Sequence, residues 1–429
     1  MIWLNQISLE VRTTIVFLVG ILIASQLNRA IYAWAHFRRA IGPWEKPDPA
    51  APPRSPLDYI PILGWFGLSR ENPIHGRAHW VRPLLIEILW PAALAWLYWA
   101  TMHQDLLPRV NKLPASDPTL HLQFLSHAIL FSLMLIATFI DFDEQTIPDE
   151  VTVPGALVGL LFAGFAPVTM LQMTNIKVAA LKQLTLVHLA SPLDWPKSMN
   201  QLQGLLIGLG CYFAWCISVL PLLFVISWGW RRWKSPKAFS VFCGLTRRDA
   251  HSWWILIIAI VGGLAITAAW LTRTGTENWE ALLSSLIGLF FGVALMWSVR
   301  IVCSWAMQQE AMGFGDVMLL AMIGAFLGWQ ATLITFLLAP IAALVIAVPQ
   351  RIIVGRNDIA FGPYLCLSAL VVVCQWPYIW EVWNARDLFD KTGSTMPYIV
   401  IGCVALMGLM LRALRFWREL GGEGEEPAE

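Results

Sequence analysis

The chain has 429 residues, 57% of them hydrophobic and 13% charged, with 24 Trp, a mean hydropathy of +0.62 and a formal net charge of +1. That balance describes an integral membrane protein and excludes an ordinary water-soluble globule. The near-neutral charge, with no basic stripe interleaved by aromatics, sets aside nucleic acid as a partner.

The first apolar run, residues 14 to 34, contains IVFLVGILIA, preceded by Arg12 and followed by Arg29, Arg38 and Arg39. It lacks a small-residue cleavage site, so it reads as a retained anchor and not as a signal peptide. A hydrophilic loop follows over 35 to 83, Pro-rich between 40 and 56. Further runs of spanning length lie near 84 to 102, 123 to 140, 150 to 170, 204 to 229, 251 to 272 and 281 to 304. The uncharged stretch Val317 to Val348 is too long for one helix and is expected to break near Gly328 to Gln330. Runs near 361 to 383 and 396 to 415 complete an expected all-α polytopic bundle of about eleven crossings.

Positively charged loops stay on the cytoplasmic side. Arg38, Arg39, Lys46, Arg54, Arg70, Arg77 and Arg82 place loop 35–83 inside. Arg231, Arg232, Lys234, Lys237, Arg247 and Arg248 place 230–250 there too, and Arg351, Arg356, Arg412, Arg415 and Arg418 agree. The resulting path has its N-terminus outside and its C-terminus inside. The segment 171–203 then lies outside despite Lys177, Lys182 and Lys197, the one charge pattern that opposes this path. The tail 416–429 is acidic and Gly-rich. None of the seven cysteines forms a CxxC pair, and they read as small buried apolar residues without a disulfide or zinc framework.

Two acidic motifs interrupt the apolar pattern. FIDFDEQTIPDEVTVPG, Phe139 to Gly155, places five carboxylates within positions 141 to 150, directly after the uncharged run Ser126 to Ile140. MGFGDVMLL, Met312 to Leu320, carries Asp316. A carboxylate at the edge of hydrocarbon costs free energy unless something uses it. The loop charges bring Asp141 and Asp316 to the same membrane face. Two carboxyls close enough to share a proton suit amide hydrolysis: the ionised one takes a proton from water and the protonated one polarises the scissile carbonyl. Gly313 and Gly315 leave room for an extended peptide beside Asp316. An N-cap role for Asp316 or Asp149 and a solvated loop position for Asp143 are the structural alternatives.

Phe139 to Gly155 and Met312 to Gln330 resemble the two signature regions of the type IV prepilin peptidases, membrane aspartic proteases of the GxGD type. DYIPILGWFGL (Asp58 to Leu68) with VRPLLIEIL (Val81 to Leu89) is similar to the family's first loop and second helix, and IAFGPYL (Ile359 to Leu365) to the opening of a late helix. The resemblance implies Asp141 and Asp316 as the catalytic pair, with Asp143, Asp149, Gly313, Gly315 and Glu87 in support. Glu87 would contact a substrate or a loop arginine, or make a structural hydrogen bond. The resemblance also implies cleavage of the basic leader of prepilins or type II secretion pseudopilins at the cytoplasmic face of a bacterial inner membrane. No cofactor is needed for that cleavage, and S-adenosylmethionine enters only if the family's second activity, N-methylation, is kept.

The chain departs from the family pattern in four places. Loop 35–83 has no cysteine, so the family's four-thiolate zinc site is excluded there, and His75 and His79 are too few to replace it. Met318 stands where a lysine is usual. No Gly-rich nucleotide loop exists, and methylation is therefore doubtful. The interval 171–280 is an insertion with two extra crossings and a basic loop, separating a first membrane part (1–34 and 84–170) from a second (281–415). Two other classes stay open: an inactive relative serving as an assembly scaffold, and an ion-coupled transporter, against which the acids' position at helix ends counts.

Overall fold

A run of apolar residues in hydrocarbon satisfies its backbone only by coiling into a helix, and the uncharged stretches do so in the computed structural model, which describes residues 7–39, 41–108, 117–176, 182–219, 250–308, 313–354 and 360–420. The principal helices are α1 (Leu9–Trp34), α2 (Val81–Met102), α3 (Asp117–Glu144), α4 (Asp149–Phe165), α5 (Leu202–Val219), α6 (Ala250–Arg273), α7 (Glu277–Met307), α8 (Phe314–Val354), α9 (Gly362–Cys374), α10 (Ala385–Thr392) and α11 (Met396–Leu420). Eight helices among the described residues are long and apolar enough to cross a membrane, and the protein is a multi-pass helical membrane protein. The difference from about eleven has a local cause. Helix α4 has 17 residues and α9 has 13, short of a full span. Residues 314–354, labelled α8, are two helices that meet at a kink at Gly328, whose φ of 79° and ψ of 170° break the helical backbone where a break was expected, and they count as one of the eight. The basic loop through 249, the end of the run near 204 to 229 and the tail beyond 420 lie outside the described residues.

Chain contacts divide the protein into two units. The first comprises 1–155, 168–186 and 337–378. In it α1, α2 and α3 pack on one another and α9 packs on α3. Gly20 lets α1 approach α2 closely, since a Cβ there would lie 3.0 Å from the Cα of Pro91. The outward stripe of α1, Val11, Ile15, Leu18 and Leu22, is exposed and apolar, the pattern of a lipid face. A two-stranded antiparallel sheet, β1 (Gln172–Ile176) and β2 (Lys182–Leu186), pairs Gln172 with Leu186. The hydropathy pattern gave no sign of it, because so short a hairpin lies within a hydrophilic segment.

The second unit comprises 156–167, 187–336 and 379–429. Helices α5, α6 and α11 pack around α7 and its neighbours. At the crossing of α7 and α8 the backbones nearly touch: a Cβ on Gly288 would lie 2.3 Å from the Gly324 carbonyl oxygen, and one on Gly292 would lie 2.5 Å from that of Leu320. Small residues at such crossings allow dispersion contacts that drive helix association in lipid. Ser285 adds a hydrogen bond from its Oγ to the Ala325 carbonyl. The N-terminal half of α8 is thereby buried, from Val317 to Leu327. The six described cysteines are free, and Cys403 is exposed on α11, not buried as expected.

Candidate active site

The first acidic motif is the end of α3, which runs one turn past the expected boundary at 140, to Glu144. Gln145 closes the helix at φ 54°, its N–H donating to the Asp141 carbonyl at 2.8 Å, the left-handed exit common at helix C-termini. Three acids of this turn reach three different elements. Asp141 is 4% exposed, and its Oδ2 accepts the backbone N–H of Gly362, at the start of α9, at 3.0 Å. Asp143 takes a two-pronged bond from Arg82 of α2, Nη1 to Oδ1 at 2.7 Å and Nη2 to Oδ2 at 2.8 Å. Glu144 accepts the N–H groups of His36 and Phe37, where the chain leaves α1, at 2.7 and 3.0 Å. Asp143 is thus not a solvated loop acid but one half of a planar ion pair, the geometry that Arg supports and Lys does not.

Arg82 is fixed on its other faces as well. Its Nη2 donates to the Tyr32 hydroxyl at 3.1 Å, and its guanidinium lies 5.4 Å from the ring centres of Tyr32 and Phe139. Asp149 is the first residue of α4 and stands inside the helix, not at the N-cap position. Its negative charge suits the first turn, where unpaired N–H groups point outward.

Glu87, 1% exposed in α2, accepts the Asn28 side-chain amide at 3.2 Å and the Ile62 N–H at 2.6 Å. Ile62 has φ 68°, a conformation unfavourable to a β-branched residue, so a buried acceptor is what holds that corner of the loop. Of the two uses expected for Glu87, the structural hydrogen bond is the one present, and no arginine contact to it is seen among the described residues. The loop is itself organised by carboxylates. Arg54 pairs with Glu71 at 3.1 Å, both side chains almost wholly buried, and its Nη1 donates to the carbonyls of Gly42, Pro43 and Glu45. Arg70 pairs with Asp58, and Trp65, Leu68 and Leu84 form a small apolar core beneath. His75 lies 3.4 Å from Glu71, part of this loop.

The second motif opens α8. Gly313 is exposed just before the helix, Phe314 and Gly315 begin it, and Asp316 stands in its first turn, 6% exposed. Asp316 is therefore not an N-cap. The Phe314 ring packs edge-on against Trp297 of α7, 6.1 Å between centres. Met318 is fully buried, with the Ser218 hydroxyl 4.0 Å from its sulfur. A lysine at this position would put an ammonium into an apolar interior, which explains why Met suits this packing.

A family model described as the type IV leader peptidase family matches residues 128–229 and 246–348. The matched segments contain both acidic motifs. Over these segments the chain is similar to the type IV leader peptidase family. Curated relatives bear the name prepilin leader peptidase/N-methyltransferase. That of Pseudomonas aeruginosa is 35% identical over 92 residues, 21% of this chain and 32% of the relative. That of Aeromonas hydrophila is 34% identical over 92 residues, again 21% and 32%, and that of Escherichia coli K12 is 31% identical over 94 residues, 21% and 40%. The alignments span about a third of the length of the curated relatives they match. No solved structure matches the chain.

Arg82, Tyr32, Glu144 and Gly362 are the residues around the first motif that sequence reasoning left without a role. Arg82 was counted only as a loop charge and Gly362 only as part of the IAFGPYL stretch. The signal that could have flagged Arg82 is its place at the very start of an apolar run, where a cation needs a partner.

Proposed function

We propose that the protein is a membrane-embedded aspartic endopeptidase that removes the basic leader from type IV prepilins or type II secretion pseudopilins. The observation that carries this reading is one buried aspartate in each of the two matched segments, Asp141 and Asp316, 4% and 6% exposed. Buried carboxylates are expensive and are kept where they are used. In the proposed reaction the two act as one pair sharing a proton: the ionised carboxylate accepts a proton from water as it attacks, and the protonated one donates to the scissile carbonyl oxygen. Asp143, with Arg82, positions the helix end that carries Asp141. Gly313 and Gly315 give an extended peptide access to Asp316, and Asp149 favours the basic leader by charge. The loop arginines support a location of this chemistry at the cytoplasmic face of the inner membrane.

The relatives' second named activity, N-methylation, would consume S-adenosylmethionine. In loop 35–83 the buried carboxylates Asp58 and Glu71 are already held by Arg70 and Arg54, so these two acids do not fit a site for that cation. Coexpression with a prepilin from the same genome tests the peptidase. Leader removal should be complete with wild type and absent with Asp141→Ala or Asp316→Ala. Processing that survives either change would overturn the proposed pair, and inactivity of wild type on every pilin-like protein of its genome would favour the scaffold reading.

A further inference from the structure

A cleft that the proposed reaction does not use lies at the C-terminal end of α1, inside the first unit. It is walled by Asn28, Arg29 and Tyr32 of that helix and by Trp44, Glu45 and Trp65 of the loop, with about 320 Å³ of atom-free space counted out to open solvent. The wall offers one cation, one anion and three aromatic rings. Asn28 donates its amide to Pro83 and Glu87 and leaves its buried Oδ1 without a donor. A buried acceptor left unpaired costs free energy, which an entering N–H donor would recover.

The position of Arg29 says what reaches this cleft. At about 100° per residue it falls on the same face of α1 as the exposed stripe Val11, Leu18 and Leu22. It stands eleven residues past Leu18, a rise of about 16 Å, roughly half the thickness of a hydrocarbon core. An acyl chain lying along the stripe therefore brings its phosphate to Arg29. From the phosphate, a headgroup that reaches into the cleft meets Glu45 and the rings, a setting that favours a primary ammonium. We propose that the cleft binds the phosphoethanolamine headgroup of a membrane aminophospholipid, phosphate on Arg29 and ammonium on Glu45 and Asn28. This assignment is independent of the peptidase reading.

The test uses full-length protein in detergent, with bound lipid counted by native mass spectrometry against phospholipids of identical acyl chains and ethanolamine or glycerol headgroups. Retention of the ethanolamine lipid should exceed that of the glycerol lipid by about tenfold, the worth of one charge-assisted hydrogen bond. Glu45→Gln should abolish the preference and Arg29→Gln should reduce retention of both lipids, while Arg29→Lys restores it. Trp44→Leu, on an exposed ring, gives a second variant should a neutral one fold poorly, and it should weaken the ethanolamine lipid alone. Equal retention of both headgroups, or an unchanged preference in all variants, would overturn the proposal. So would displacement of the lipid by equimolar soluble O-phosphoethanolamine or by a basic leader peptide, which would assign the cleft to a free headgroup or to a peptide.

Discussion

Gly362→Ala is the sharpest probe of the Asp141 site, because one methyl group is enough to disturb it. A Cβ at 362 would lie 2.6 Å from Asp141 Oδ2, 3.0 Å from Ile147 Cδ1 and 3.2 Å from Asp141 Cγ. Ordinary contact begins near 3.4 Å, so the carboxylate must retreat by about 0.8 Å. The Gly362 N–H to Oδ2 bond, 3.0 Å long, would then stretch beyond hydrogen-bonding range. Losing a hydrogen bond to a carboxylate costs about 1.5–3 kcal/mol, equivalent to about 10- to 100-fold in the population of the correctly placed side chain. Global stability should change less, because Ala is favoured over Gly in helices by up to about 1 kcal/mol. The assay is the initial rate of prepilin cleavage beside thermal unfolding of the same preparation. We expect cleavage to fall by about 10- to 100-fold with a small change in Tm. Adding Ile147→Val removes the methyl contact but not the oxygen contact, so it should recover stability without recovering activity. Wild-type cleavage by Gly362→Ala, or full rescue by Ile147→Val, would refute the claim that Gly362 is required for the placement of Asp141.

Other perturbations separate positioning from packing. Arg82→Ala and Asp143→Asn should each destabilise the protein, and a double-mutant cycle should return a coupling of about 1–3 kcal/mol, since each removes the same planar bond. Additive effects would mean that the pair does not hold the end of α3. Arg54→Ala should cost about 3–5 kcal/mol by leaving Glu71 buried without its guanidinium partner, with only His75 beside it, whereas a chelator should leave the unfolding temperature unchanged if ion pairs organise loop 35–83. A drop in Tm on chelation would contradict that account. Cysteines placed at 141 and 316 in a cysteine-free background should be joined by a short thiol crosslinker if the two acids act as one pair, and failure with every reagent spanning up to about 10 Å would leave the shared-proton mechanism without support.

The sequence made legible whatever depends on neighbours along the chain. Hydropathy located the helices because a lipid face and a buried face are both apolar, and the break at Gly328 was visible because 32 uncharged residues cannot form a single crossing. The carboxylates of the first motif stood out for the same reason. What could not be read was where each carboxylate points. The partners of Asp141, Asp143, Glu144 and Glu87 lie 221, 61, 108 and 25 residues away, and three of those four partners are backbone N–H groups that every residue but proline carries. Composition cannot distinguish them.

The loop without cysteines shows the same limit from the other side. The missing thiolates were plain in the sequence, and they suggested a site that had lost its organising element. The structure supplies a different one: Arg54 closes four contacts around Gly42 to Glu45 and Glu71, and Arg70 binds Asp58 above the Trp65 core. A buried ion pair adds little stability relative to an apolar packing of the same volume, but breaking it by removing one partner is costly. It therefore fixes one arrangement of the loop by penalising the others, as a metal centre would. Because Glu87 ties Ile62 of this loop to α2 and Arg82 ties α2 to the end of α3, the loop's order is physically continuous with the placement of Asp141. Arg54→Ala should consequently lower cleavage in proportion to the loss of loop order, and a variant that loses the loop's protection from hydrogen exchange yet cleaves at the wild-type rate would break that chain of contacts.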